Sequence, residues 1–190
     1  MSRLRRKRLR QKKRPEVAES KWWSHVSQRR ARGKSIDSVD QAFARALHFL
    51  GARARSEAEV KSDLLDRGAS RTVIDTVLEK LRQSNYLNDR EFARNRALAR
   101  VENRGHGPAR IRQELRVKGV DNKIIESIID EIFAAKGEKE TAQTVLQRRF
   151  KNQDLADIRV LRRAAGYLLR QGYSSEVVAA LLGGSGPEIC

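Results

Sequence analysis

Apolar positions recur along this chain in groups three and four residues apart, broken by glycine-centred turns. One arrangement is written three times: DLLDRGASRTVIDTVL at 63–78, ELRVKGVDNKIIESII at 114–129 and YLLRQGYSSEVVAALL at 167–182. Such spacing puts the apolar side chains on one stripe of a helix. Leu64, Val73, Ile74, Val77 and Leu78 of the first copy correspond to Leu115, Ile124, Ile125, Ile128 and Ile129 of the second. Their counterparts in the third are Leu168, Val177, Val178, Leu181 and Leu182. These positions predict three small cores. The glycines Gly68, Gly119 and Gly172 lie 51 and 53 residues apart, and self-similarity at a near-constant period marks a repeat architecture.

Each glycine also predicts how the chain bends. A glycine just past a helical pattern, with Arg67, Lys118 or Arg170 in the last turn, is a helix stop, because glycine tolerates the left-handed conformation. Two residues on stand Ser70, Asp121 and Ser174, side chains that accept from free N–H groups at the start of the next helix. Ala69, Val120 and Tyr173 precede these caps, and Ile74, Ile125 and Val178 follow them at the spacing of a hydrophobic staple.

The predicted fold is therefore all-α. It consists of three tandem three-helix repeats at 40–87, 88–137 and 138–184, with a basic flexible tail at 1–39 and a short tail at 185–190. In the first repeat, helices are expected over Asp40–Leu50, from the Ser56–Glu59 capping box onward, and from Ser70 to about Ser84. The second reads Asp89–Asn103, Ala109–Lys118 and Asn122–Ala135; the third reads Lys139–Phe150, about Asp154–Gln171 and Ser175–Leu182. Between the first two helices of the second repeat lies Arg104-Gly105-His106-Gly107-Pro108, a defined turn in which Pro108 suits the first helical position. Units of this size are too small for a comfortable core of their own. Contacts between neighbours give an elongated, curved body.

Charge adds a partner class. The formal net charge is +17, and residues 1–34 alone hold 14 Lys/Arg against 2 Asp/Glu. An excess of this size points to nucleic acid or a nucleoprotein. Like charges in the tail resist compaction, and Trp22 and Trp23 within it are candidates for stacking on exposed bases or for contact with a partner. No apolar run approaches the ~20 residues a membrane span needs. The single cysteine, Cys190, allows no internal disulfide, which fits a reducing cytoplasm.

Candidate chemistry is sparse. His25, His48 and His106 have no carboxylate or second histidine at ligand spacing. No glycine-rich phosphate loop follows a strand, and no acid, base or nucleophile set stands out, so neither an enzyme nor a cofactor or metal is expected. The helix–glycine–helix pattern resembles a DNA-reading helix-turn-helix. However, the second helices carry Asp75, Glu79, Glu126, Asp130 and Glu176 outward beside Arg71, Lys80 and Lys123, an acidic or neutral balance that phosphates repel. The basic surface falls elsewhere. Residues 88–118 hold nine basic against four acidic residues. Arg94, Arg96, Arg100, Arg104, Arg110, Arg112, Arg116 and Lys118 are the candidate binding residues, extended by Arg148 and Arg149. Arginine suits bidentate contacts with phosphate or carboxylate. The competing reading is a solvated face of local Glu–Arg pairs.

The run GHGPARIRQELRVKGV at 105–120 resembles the central signature of the RecX regulatory proteins, and YLNDREFARNR at 86–96 resembles the segment before it. The stretches 41–68 and 161–182 are similar to that family's first and last repeats. The matched positions are Gly105, Gly107, Pro108, Arg110, Ile111, Glu114, Leu115, Lys118 and Gly119. His106 departs from the usual aromatic, and the tryptophan-bearing tail lies outside the resemblance. The resemblance implies an all-helical body of three repeats. It also implies a protein, free of cofactors, that binds the RecA recombinase and its filament on single-stranded DNA; a monomer is expected. There it would inhibit ATPase, strand-exchange and co-protease activities, damping recombination and the SOS response. Arg110 and Lys118 would contact partner or DNA, while Ile111 and Leu115 would be structural. The alternative is a general basic protein that binds single- or double-stranded DNA without recombinase specificity.

Overall fold

The structure, a computed structural model, describes residue 36 and residues 38–183. Trp22, Trp23 and the rest of the expected basic tail before residue 36 lie outside the described residues, as does the segment 184–190. The described residues form nine α-helices. They are α1 (Val39–Ala52), α2 (Glu57–Asp66), α3 (Arg71–Gln83), α4 (Asp89–Arg104), α5 (Pro108–Val117), α6 (Asn122–Lys136), α7 (Glu138–Phe150), α8 (Ile158–Gln171) and α9 (Ser175–Leu182). They group in threes, and in each group the third helix packs against both others. Each repeat has its own core, gathered around Leu64 and Ile74, Leu115 and Ile125, or Leu168 and Val178. Val73, Ile124 and Val177, equivalent positions at the edge of the stripe, are only half-buried in all three.

The three corners are built alike. Gly68, Gly119 and Gly172 have φ of 82°, 74° and 94°. That left-handed turn lets the next N–H reach back across the corner: Ala69 donates to Leu64 O at 3.1 Å, Val120 to Leu115 O and Tyr173 to Leu168 O, both at 3.2 Å. These bonds satisfy carbonyls that a helix end leaves free. The next helix is then capped by Ser70 Oγ accepting from Val73 N–H, Asp121 from Lys123 N–H and Ser174 Oγ from Val177 N–H. One helix differs from the sequence reading. α8 begins at Ile158 rather than near Asp154. Asp154 accepts instead from Ala156 N–H at 2.9 Å in a local turn, and Asp157 is the cap, accepting from Arg159 N–H at 2.8 Å.

One contact is repeated between neighbours: the glycine corner of a repeat docks on the start of the second helix of the repeat before it. At the first joint the corner at Gly119 meets α2. A Cβ at Gly119 would lie 2.3 Å from the Ala58 Cβ, and Ser56 Oγ donates to Lys118 O at 2.5 Å. The Lys118 ammonium also reaches Glu59 at 2.9 Å, and Glu57 N–H donates to Asp89 Oδ1 at 2.8 Å. At the second joint the corner at Gly172 meets α5. Gly107 N–H donates to Gln171 O at 2.8 Å and Ala109 N–H to Gly172 O at 3.1 Å. A Cβ at Gly107 would lie 2.6 Å from Gly172 C, and one at Gly172 would lie 2.4 Å from Arg110 N. Side chains thus make the first joint, whereas backbone-to-backbone hydrogen bonds are added at the second. Upstream, Ile36 N–H donates to Arg67 O at 3.2 Å, so the corner of the first repeat is met by the segment that precedes α1.

The arginine-lined joint

The arginines singled out from sequence fall into distinct settings. Arg96 and Arg100, four residues apart on α4, both turn to Glu114 of α5. Arg96 Nε donates to Glu114 Oε1 at 2.7 Å, and Arg100 Nε donates to both carboxylate oxygens at 2.9 Å. Glu114 stands five residues before its corner glycine. Asp63, at the same place in the first repeat, accepts from Arg45 Nε and Nη2 at 2.9 and 2.8 Å. In the third repeat the place is taken by Tyr167, which packs edge-on against Phe150 with ring centroids 6.0 Å apart. The position is a clamp between the first and second helices of a repeat. Burial of Glu114 opposes its ionisation, but the hydrogen bonds from Arg100 and Arg96 outweigh it and hold the carboxyl below its usual range.

Other arginines are paired on another helix. Arg94 Nε donates to Glu131 Oε1 at 2.8 Å, with Arg90 on the other oxygen at 3.1 Å. Arg112 makes a two-pronged contact with Glu126 at 2.8 Å, and Arg116 bonds Asn122 Oδ1 at 3.1 Å. All of these acceptors belong to α6, the helix whose acidic face argued against DNA reading. Lys118 lies in the first joint, bonded to Glu59.

What remains collects at the second joint. Arg104 ends α4 and is exposed. Arg110 Nη1 donates to Arg170 O and Gln171 Oε1, both at 3.3 Å, and so crosses from α5 to α8. Arg104, Arg110 and Arg170 surround a depression of about 740 Å³ into which Gln113 and Leu169 also face. Its carboxylate is Glu114, already engaged by two guanidiniums. Within the described residues no carboxylate lies within 4.0 Å of Arg104, Arg110 or Arg170. His106 is set into the same depression, 9% exposed, its Nδ1 buried without a hydrogen-bond partner and 3.9 Å from Glu114 Oε2. Burial pushes the imidazole pKa down, and Arg110, Arg100 and Arg104 push it the same way against the pull of Glu114. Arg148, on α7, reaches Glu102 O at 3.5 Å on the other side of Gly105, and Arg149 is exposed.

The run 105–120 therefore has a structural reason at most positions. Gly105 ends α4 in the left-handed region at φ 64°, and a Cβ there would lie 2.6 Å from Val145 Cγ2 of α7. Gly107 admits the corner of the third repeat. Pro108 occupies the first position of α5. Ile111 and Leu115 are core, Glu114 is the clamp, and Lys118 and Gly119 make the first joint. Sequence reading did not single out Arg170 as a binding residue, because a cation in the last turn is explained by helix ending alone. A signal for it was present in the missing acid: Tyr167 replaces the carboxylate that occupies this place in the other two repeats.

Three glycine-cornered triplets of helices, joined corner to helix start and carrying cations at one joint, define an α-helical tandem-repeat protein. Family models described as the first, second and third three-helix domains of RecX match residues 42–81, 88–128 and 137–182. The chain is 35% identical over 143 residues to the Regulatory protein RecX of Mycobacterium sp. (strain JLS), covering 73% of this chain and 78% of that protein. It is 36% identical over 147 residues to the Regulatory protein RecX of Geobacillus sp. (strain WCH70), covering 77% of this chain. That match spans about half, 54%, of the Geobacillus protein. The chain belongs to the RecX family. A crystal structure of RecX from Lactobacillus salivarius shares its fold, with a TM-score of 0.66 at 21% identity over 77% of this chain and 95% of that one. A second RecX crystal structure aligns with a TM-score of 0.63 at 23% identity over 89% of this chain and 80% of that one. No described helix is long and apolar enough to cross a membrane.

Proposed function

We propose that this protein binds the RecA recombinase and its filament on single-stranded DNA. Bound there, it inhibits ATP hydrolysis, strand exchange and co-protease action, acting as a negative modulator of recombination and the SOS response in the cytoplasm. The observation that carries the reading is the set of arginines at the second joint of a RecX-family array that have no carboxylate partner among the described residues. Guanidiniums that have no acid of their own are available to phosphates or carboxylates of a partner. No covalent step is needed: a protein that prefers one state of a filament shifts its population by that difference in affinity. The test is the ATPase of RecA on single-stranded DNA with increasing amounts of this protein. Inhibition near stoichiometric amounts supports the reading, and unchanged ATPase and strand exchange sink it.

A second reading, a general DNA-binding protein, is favoured by the 14 Lys/Arg and 2 Asp/Glu of residues 1–34. It would show salt-dependent DNA binding with no effect on the recombinase, lost on deleting that segment.

A further inference from the structure

The joint between the second and third repeats has more cationic groups than its own structure uses. Arg104 comes from the end of α4, Arg110 from the first turn of α5 and Arg170 from the last turn of α8, so the ring is drawn from both repeats. Among the described residues one carboxylate faces it, Glu114, and that is held by Arg96 and Arg100. Arg110 is aimed by two contacts to α8, which use Nη1 and leave the rest of its guanidinium free. His106 is set beneath with an unpartnered buried nitrogen. The depression is open to solvent, as suits one group of a longer chain.

We propose that this depression is a seat for a single backbone phosphate of single-stranded nucleic acid, held by Arg104, Arg110 and Arg170 above His106, and that filling it fastens the third repeat to the second. This deepens the proposed function, since it names the part of a nucleoprotein that one site would grip. The fastening follows from where the ligands come from: one anion bonded to α4, α5 and α8 adds a bridge to the two backbone hydrogen bonds, the close glycine contacts and the Arg110 contacts that already cross the joint. An anion here also offsets the cations that disfavour imidazolium. The groups facing His106 are then Glu114 and Arg110 on α5, Arg100 and Arg104 on α4, and the phosphate.

The experiment is a nuclear magnetic resonance titration of the full chain with no recombinase present. Its failure is thus distinct from failure of the ATPase test. The probes are a short oligothymidylate and, separately, inorganic phosphate, and the signals are the His106 ring protons. Oligothymidylate is expected to move them saturably and to raise the pH at which His106 titrates. The variant Arg104→Gln/Arg110→Gln/Arg170→Gln is expected to weaken that response at least roughly tenfold, because charge-assisted hydrogen bonds are lost. The control Arg90→Gln/Arg94→Gln, which removes partners of Glu131 instead, is expected to retain it. The proposal is overturned if the His106 signals ignore the oligonucleotide, or if the triple variant responds as the parent does. It is overturned as well if inorganic phosphate shifts them and the oligonucleotide does not, which would make this a seat for free anions. Should the triple variant lose its helical signal, Arg170→Gln alone, on a side chain at the helix surface, is expected to weaken the response on a folded chain. An unchanged response in that variant overturns the proposal.

Discussion

Glu114 fastens two guanidiniums at once, and removing its charge strands both. Arg96 and Arg100 are partly buried against it and lose their acceptor without gaining water freely. Glu114→Gln is expected to cost about 1–3 kcal/mol, seen as a lower Tm with helical content retained below the transition. Tyr173 is the opposite case. Its hydroxyl is buried in the third core without a hydrogen-bond partner, and burial, followed by Glu138 and Tyr167, pushes its pKa upward. Tyr173→Phe removes a desolvated polar atom and keeps the ring, so it is expected to leave Tm unchanged or raise it, by up to about 1 kcal/mol in stability. A fall in Tm would mean that the hydroxyl has a stabilising role. At this scale the sequence was readable where the rule was local. The caps at Ser70, Asp121 and Ser174 and the box at Ser56 each concern residues a few positions apart. The arginine pairings were not readable in the same way. Glu114 is 14 and 18 residues from its arginines, and Glu131 is 37 and 41 from Arg94 and Arg90. Helical periodicity says which arginines share a face and nothing of what faces them.

At the scale of elements, glycine does two separable things. Gly172 needs its left-handed φ and its bare surface. Gly107 has φ −83°, which any residue adopts, so its need is the close approach alone. Gly107→Ala is therefore expected to open the second joint while all helices persist. The measurements are faster amide exchange at residues 107 and 109, whose N–H groups donate across the joint, a changed small-angle scattering profile and unchanged circular dichroism. Gly51 is the control: it lies in α1, and a Cβ there would meet nothing within 4 Å. Gly51→Ala is expected to stabilise by up to roughly 1 kcal/mol, since alanine is the better helix former. The number of repeats, their period and their corners were legible because each is written within a few dozen residues. The joints were not: Gly107 meets Gly172 across 65 positions, and Gly119 meets Ala58 across 61. The run 105–120 was recognisable as a motif, yet its reason is visible only when the third repeat is seen sitting on it.

At the scale of the molecule, the two joints respond differently to acid. The hydrogen bonds that cross the second use backbone groups, the Arg110 guanidinium and the Gln171 amide rather than a carboxylate. The first contains Glu59, whose burial opposes ionisation. Hydrogen bonds from Lys118, Arg53 and the Ser56 N–H outweigh that opposition and bring it down from an ordinary 4.5 to about 2. A folded value below the unfolded one contributes stability that is fully present above the ordinary value and is lost as pH falls through the folded one. The contribution at neutral pH is of order 1–3 kcal/mol. Tm is expected to fall between pH 4.5 and 2 more steeply in the parent than in Glu59→Gln, with the loss centred on the first repeat. Parallel curves for the two proteins would remove Glu59 from that role. The chemical difference between the joints has a further consequence, for fidelity during folding. Three units of similar length and pattern on one chain are prone to mis-assembly, with the third seated where the second belongs. The corner at Lys118-Gly119 brings an ammonium whose carboxylate partner is Glu59. The corner at Gln171-Gly172 brings two backbone carbonyls and the neutral Gln171 amide and seats where Gly107 leaves room, whereas the start of α2 offers the Ser56 side chain. Each seat thus admits its own neighbour better than its neighbour's twin, and the order of the repeats is protected by two addresses that cannot be exchanged.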